Sequence, residues 1–201
     1  MATTFLLTNY LGAKGFGQYV FVISYATIFY ALSDWGTTIV GVKLAGEEKD
    51  EALLFGNLFF LRTWLSVFSV LISLVLFSLL PIFDQETRPL IIFSSLLIVL
   101  FGFKNSLAIV FQTKLKMEKT ALMEFLTGFL VLIFSLFFLK VSSGAAPFLA
   151  AVILANLISL FAGFLMAKKL ATFKMKFSKE VLTKIFQEAL PMGGVLVIFS
   201  I

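Results

Sequence analysis

Two residue types are missing from the 201-residue sequence, which contains no cysteine and no histidine. Without cysteine there is no disulfide and no thiolate nucleophile, and without histidine there is no imidazole base. The same absences remove the side chains that bind nearly all zinc and haem in proteins. We therefore expect no catalytic residue, no metal site and no cofactor, and we expect that the protein is not an enzyme.

Charged residues are scarce as well, because they make up 13% of the chain against roughly 25% in soluble proteins. Apolar residues make up 60%, and the mean hydropathy is +1.06. A folded surface of this composition requires lipid as its solvent. The formal net charge of +5 comes mainly from lysines in short gaps between apolar runs. That placement is typical of cytoplasmic membrane loops, so we expect no nucleic-acid partner.

The apolar runs are long enough to cross a bilayer and alternate with short polar gaps. We predict an all-α, polytopic transmembrane helical bundle with five complete spans and a truncated sixth. The spans are expected at about 18–44, 52–80, 88–112, 120–140 and 146–166, with Pro81 closing the second and Pro191 opening the sixth. The first span is interrupted by Ser33-Asp34-Trp35-Gly36, which predicts a kink or a short unwound segment.

The sequence begins without a signal-peptide pattern and stops inside an apolar stretch, so we interpret it as a piece of a longer protein. We divide it into 1–17 (truncated tail of a preceding helix and outer loop), 18–167 (five-helix transmembrane part), 168–187 (connector) and 188–201 (start of the next span). The connector is basic, and from Phe177 its apolar residues recur at helical spacing after a candidate N-cap, Ser178. Two alternatives stay open, an amphipathic helix at the inner membrane surface or a solvated helical linker.

Lysine and arginine are distributed unequally between the two sets of gaps. The gaps after the first, third and fifth spans hold eleven basic residues, and the alternate gaps hold three. Cytoplasmic loops carry the excess of Lys and Arg. The first span is therefore predicted to run from the outside to the inside of the membrane.

Four ionisable residues, Asp34, Arg62, Lys104 and Glu124, lie inside predicted spans. Each costs roughly 2.5–3.5 kcal/mol at the centre of a spanning helix if unpaired. At 1.5 Å per residue they lie about 7–15 Å from the cytoplasmic ends of their spans, in one electrically neutral layer. They either form two ion pairs that hold the bundle together or line a polar cavity in which Arg62 and Lys104 meet an anionic substrate group. The span residues Asn57, Asn105 and Asn156 are predicted to hydrogen-bond between helices.

Several stretches resemble one known family. The first is Leu11-Gly12-Ala13-Lys14-Gly15-Phe16-Gly17-Gln18-Tyr19, followed by Leu32-Ser33-Asp34-Trp35-Gly36; the others are Phe111-Gln112 with Lys114, Lys116 and Lys119, and Glu188-Ala189-Leu190-Pro191-Met192. Together they resemble the polysaccharide-transport (Wzx-like oligosaccharide flippase) branch of the multidrug/oligosaccharidyl-lipid/polysaccharide flippase superfamily. The resemblance covers helices two to six, and the start of helix seven, of a 12–14-helix transporter.

The resemblance implies a flippase that moves a polyprenyl-pyrophosphate-linked oligosaccharide across the cytoplasmic membrane by alternating access. Arg62 and Lys104 would attract the pyrophosphate, and Asp34 or Glu124 could couple transport to H⁺ or Na⁺. It also implies a multi-pass protein of the cytoplasmic (inner) membrane, monomeric, in contact with membrane lipid and with polysaccharide-assembly proteins.

Three alternatives stay open. A drug/cation antiporter of the same superfamily shares the helical framework, although two basic residues in a cavity do not suit a cationic drug. A membrane enzyme of envelope polysaccharide assembly would need a base or metal ligand in a sizeable loop. A non-transporting membrane subunit would leave the intramembrane charges without a purpose other than packing.

Overall fold

The computed structural model describes residues 2–47, 50–79, 85, 87–139, 144–173 and 176–199. All regular structure in these residues is helical. The helices are α1 (Ala2–Asp34), α2 (Thr37–Glu47), α3 (Glu51–Leu79), α4 (Thr87–Thr113), α5 (Met117–Phe138), α6 (Ala146–Ala167) and α7 (Lys179–Phe199). Five segments are long and apolar enough to cross a membrane: Leu6–Glu47, which includes α2, then α3, α4, α5 and α6. The predicted all-α bundle with five complete spans is confirmed.

Several predicted boundary and loop residues lie outside the described residues. They are Leu80 and Pro81 at the end of the second span, Lys140 at the end of the fourth, and Glu48, Lys49 and Lys174 in the basic gaps. The other boundaries of the second to fifth spans, and the end of the first span, agree with the prediction to within a few residues.

Helix α4 forms the centre of the bundle and packs against α1, α3 and α6, while α5 packs mainly on α6. The interior is divided into two apolar clusters. One includes Val40, Leu44, Leu54, Phe55, Leu107 and Phe111, and the other includes Val22, Phe29, Ile91, Leu97, Ile98 and Ile153. Along α1–α2, α3 and α4, the sequence positions of Asp34, Arg62 and Lys104 fall between the residues of the two clusters. The charged residues thus form a polar layer between two apolar ones.

The N-terminal part of the fold differs from the prediction. Residues 12–17 were expected to form an outer loop before the first span, but α1 is helical there except at Gly12, which has φ 65° and ψ −178°. The segment before the kink packs into the bundle, since Leu7 is buried and the Tyr10 ring contacts the Phe148 ring at 5.8 Å between centroids. In an apolar environment the backbone keeps its hydrogen bonds by staying helical. The prediction of a loop was wrong.

The C-terminal part differs as well, because the connector and the next span form one helix. Helix α7 continues through Pro191, which was expected to open a new span. A proline removes only one backbone donor, and neighbouring helices in a bundle compensate for it. Ser178 does cap the helix, with its hydroxyl 3.5 Å from the Val181 amide, so the predicted helix start is confirmed.

The predicted break in the first span is present at Trp35 and Gly36, which separate α1 from α2 and both have positive φ (37° and 77°). Helix α7 crosses this break so closely that a Cβ on Gly193 would lie 2.5 Å from the Trp35 ring. A salt bridge of 2.9 Å between Lys43 on α2 and Glu188 on α7 holds the same crossing.

Candidate functional site

The structure brings the four predicted site residues together as two ion pairs. Arg62 of α3 pairs with Asp34 at the end of α1, and Lys104 of α4 pairs with Glu124 of α5. The predicted neutral layer therefore contains one pair on each side of α4. The two pairs differ in their surroundings.

The Arg62 guanidinium is enclosed by protein, with 1% of its side chain exposed. Its Nε donates to the Thr37 hydroxyl at 2.9 Å, and its Nη1 donates to the Gly102 carbonyl at 3.2 Å. Its Nη2 donates to the Asp34 carboxylate and to the Thr38 hydroxyl. All three guanidinium nitrogens have partners, so this conformation leaves Arg62 no direction from which a ligand could approach.

The helix break produces this arrangement. Because α1 ends at Asp34 and α2 starts at Thr37, the Asp34 carboxylate and the first hydroxyls of α2 face the same point. Thr38 donates to the Asp34 carboxylate at 2.5 Å, and Thr37 donates to the Asp34 carbonyl at 2.6 Å. The hydroxyls thereby satisfy backbone and side-chain acceptors that the break has exposed, as buried polar groups require.

A seam of small polar residues extends from Arg62 along α3. Ser66, Ser69 and Ser73 follow it at helical spacing, and all three are buried. Ser66 shares a hydrogen bond of 2.7 Å with Ser33, and Ser69 donates to the Phe29 carbonyl. On the α4 side Gly102 is required, because a Cβ there would lie 2.6 Å from the Ser66 hydroxyl. The seam allows α1, α3 and α4 to approach closely around Arg62.

The Lys104 ammonium group lies between α4, α5 and α6. It is 3.1 Å from the Glu124 carboxylate, 2.9 Å from the Thr127 hydroxyl and 3.2 Å from the Asn156 carbonyl oxygen. Its side chain is 5% exposed, but that of Glu124 is 58% exposed. Lys104 is thus as well paired as Arg62. The difference is that its charged partner, Glu124, lies largely on the outer surface of the bundle.

Lys104 lines a cavity of about 510 Å³. The other lining residues are Tyr19, Thr27, Tyr30, Phe101, Asn105, Glu124, Thr127, Val131, Val152 and Asn156. Asn105 donates to the Tyr30 hydroxyl across the cavity wall, between α4 and α1. The cavity therefore combines a buried cation, amides, hydroxyls and aromatic rings, which together suit an anionic, hydroxyl-rich ligand.

Asn57, Asn105 and Asn156 were predicted to hydrogen-bond between helices. Asn105 and Asn156 do so, to α1 and α4 respectively. Asn57 instead bonds the chain before α7, through the Lys176 carbonyl and the Ser178 amide, both at 3.0 Å.

Sequence reasoning missed the threonines around both cations and the carbonyl of Gly102. Their spacing carried a signal for two of them, since Thr38 follows Asp34 by four residues and Thr127 follows Glu124 by three. Such residues share a helix face. The break between α1 and α2 weakens that rule for Thr38, whereas it holds directly for Thr127 within α5.

Comparison with known families gives a match along the whole chain. The model of the family described as polysaccharide biosynthesis protein matches residues 1–201. Comparison with curated proteins and with solved structures gives no match.

Proposed function

This chain belongs to the polysaccharide biosynthesis protein family, the family of Wzx-like polysaccharide flippases, and we propose that it moves a polyprenyl-pyrophosphate-linked oligosaccharide across the cytoplasmic membrane by alternating access. The multi-pass membrane architecture and the family both support a transporter in polysaccharide synthesis.

The exposure of Glu124 carries the assignment of the ligand site to the Lys104 cavity. Glu124 is 58% exposed and lies in the second turn of α5, near the predicted cytoplasmic end of its span. From this depth its carboxylate can turn toward the polar headgroup region, where an ion pair contributes only about 0–1 kcal/mol, so it can leave Lys104 at little cost. An incoming pyrophosphate would then replace Glu124 as the anionic partner of Lys104, keeping the buried ammonium paired throughout. Charge-assisted hydrogen bonds to the phosphoryl oxygens would hold the ligand.

The same exchange cannot occur as readily at Arg62. Asp34 is 15% exposed, and displacing it would leave a carboxylate unpaired in the protein interior, which is strongly destabilising. We therefore propose that Arg62 and Asp34 hold the helix break in place, and that they meet substrate only if the transport cycle separates α3 from α1.

The neutral part of the substrate would use the rest of the cavity wall. Asn105, Asn156 and Tyr30 offer amide and hydroxyl groups that match sugar hydroxyls. The polyprenyl chain would remain in the bilayer beside the bundle. Glu124, released when the pyrophosphate binds, is the group we propose to take up the coupling H⁺ or Na⁺, with no other cofactor and no enzymatic step.

A drug/cation antiporter is the competing function. It would need the carboxylate, not the ammonium, to receive the ligand. In this structure the ammonium of Lys104 is the enclosed group and Glu124 is the exposed one, so an entering cation would compete with a lysine already bound to that carboxylate. An anionic ligand needs only to replace Glu124. The geometry therefore favours the flippase.

The test is Lys104→Gln in the native protein, expressed in its own cells. Surface polysaccharide and the lipid-linked intermediate on the inner leaflet are measured, each divided by the amount of the protein in the membrane. We expect export to fall at least about tenfold, equivalent to 1.4 kcal/mol of lost binding, with the protein amount nearly unchanged and the intermediate accumulating.

Lys116→Gln provides the matched control, because it removes the same charge from a lysine whose side chain is 51% exposed, away from the cavity. It should export normally. Normal export by Lys104→Gln would overturn the assignment of the cavity. Normal export combined with decreased sensitivity to cationic drugs, which would no longer compete with Lys104 for Glu124, would support the antiporter instead.

A further inference from the structure

A second polar pocket, which the proposed transport site does not include, lies where α3 begins and where α4 and α6 end. It has a volume of about 280 Å³. Its lining residues are Glu51, Ala52, Phe55, Lys114, Lys168, Lys169, Leu170, Ala171 and Thr172. The unequal distribution of lysine and arginine predicts that this face of the bundle is cytoplasmic.

The pocket carries a net positive charge. Among the described residues, Lys114, Lys168 and Lys169 line it, and Glu51 is the one acidic residue in that lining. Glu51 pairs with Lys114, which leaves two ammonium charges without a carboxylate in the pocket lining. The same opening has an apolar side formed by Phe55, Leu170 and Ala171. A cationic rim above an apolar wall matches an amphiphile that has an anionic headgroup.

The segment after α6 is held firmly against α3. The Lys168 amide bonds the Phe164 carbonyl at 2.9 Å, so Lys168 still belongs to the last helical turn. Further on, the Phe173 ring contacts the Phe55 ring at 6.3 Å between centroids. The two hydrogen bonds of Asn57 to residues 176 and 178 then fix the end of the segment. These contacts hold the segment that carries Lys168 and Lys169 beside α3, where both lysines line the same pocket as Lys114.

We propose that this pocket binds a phosphate group presented at the inner membrane surface, with Lys114, Lys168 and Lys169 as its ligands. Scattered surface lysines would attract anionic lipid in a diffuse layer. A pocket in which three lysines adjoin an apolar wall instead favours one molecule, because the phosphate and the chain attached to it are both contacted. The proposal is independent of the Lys104 cavity and of what the protein transports.

The experiment measures thermal unfolding of the purified native protein in detergent after adding lipid or free anion. One arm adds phosphatidylglycerol, one adds zwitterionic phosphatidylcholine, and one adds inorganic pyrophosphate without lipid. We expect phosphatidylglycerol to raise the unfolding temperature more than phosphatidylcholine does. The double variant Lys168→Gln/Lys169→Gln should lose that difference.

The matched control is Lys116→Gln/Lys179→Gln, which removes the same two charges from the predicted cytoplasmic face outside the pocket. It should keep the response. A response to pyrophosphate that also depends on Lys168 and Lys169 would support the site and identify a soluble phosphate as its ligand. Equal responses to both lipids and none to pyrophosphate, or an equal loss in the control, would overturn the proposal.

Discussion

The polar layer contains two ion pairs of the same chemistry, one on each side of α4, and their surroundings differ. At the Arg62 pair the cation is 1% exposed and the carboxylate 15%, whereas at the Lys104 pair the cation is 5% exposed and the carboxylate 58%. Arg62 also bonds a backbone carbonyl and two hydroxyls at the start of a helix. Lys104 bonds side chains that line a cavity.

This difference shows that burial of the cation alone does not identify a binding residue, because both cations are buried. What distinguishes them is whether the anionic partner can leave. A carboxylate that can return to a polar environment makes its cation available to another anion. A carboxylate that has no such environment stays with its cation, because separating the two would leave a buried charge unpaired.

The largest expected effect is on stability and comes from Arg62→Met. The variant leaves the Asp34 carboxylate in the interior without its cation, so the free energy of unfolding should fall by about 3–5 kcal/mol. Lys104→Met should lower it much less, because Glu124 lies near the predicted cytoplasmic end of its span and its exposed carboxylate can turn toward the headgroups once Lys104 is gone. Thermal unfolding of the purified native protein measures both.

The double variant Arg62→Met/Asp34→Asn serves as the control for Arg62. Replacing both members of a buried pair is often nearly neutral, so most of the lost stability should return. If Arg62→Met unfolds at the wild-type temperature, or if Lys104→Met is the more destabilised of the two, the distinction between the pairs is wrong.

A smaller effect is expected from glycine substitutions beside each pair. Gly36 adjoins the Arg62 pair, has φ 77°, and a Cβ there would lie 2.9 Å from the Met192 Cβ. Gly36→Ala should therefore destabilise the protein by about 1–3 kcal/mol. Gly128 lies one residue after Thr127 on α5, and a Cβ added there would enter open space. Gly128→Ala should be neutral or stabilising by about 0.5–1 kcal/mol, because alanine favours a helix.

Thermal unfolding of the two alanine variants, compared with the wild type, checks this prediction. Equal destabilisation by both would mean that the α1–α2 break is no more tightly constrained than the cavity wall. The tight packing around Arg62 would then no longer distinguish its ion pair from the Lys104 pair.

The sequence was sufficient to predict the class of fold and the family. Long apolar runs predicted five spans, the string Ser33-Asp34-Trp35-Gly36 predicted the break, and Ser178 predicted the start of α7; the structure has all of these. The predicted membership of the Wzx-like flippase family is confirmed. Each of these features is set by residues that are neighbours in the chain, so a single sequence is enough to predict it.

The pairing of the four charges could not be predicted in the same way. Helical rise gives the depth of a residue in the membrane, but the direction of its side chain around the helix axis depends on how the helices pack. The Gly102 carbonyl next to Arg62 is invisible in a sequence, because every residue has one. The continuity of α7 through Pro191 and of α1 through residues 13–17 also depends on packing, which outweighed local turn signals.

The most direct test of the central claim, that the Lys104 cavity is open to ligand and the Arg62 site is closed, compares two threonines that each bond one of the cations. Thr127→Cys and Thr37→Cys are introduced separately into the native protein, and labelling by an anionic, membrane-impermeant thiol reagent is measured with the inner membrane face accessible. The 201-residue sequence has no cysteine of its own to contribute background. We predict that Thr127→Cys is labelled, that lipid-linked oligosaccharide slows its labelling, and that Thr37→Cys stays unlabelled. Labelling of Thr37→Cys at the rate of Thr127→Cys, or an unreactive Thr127→Cys, would contradict the account.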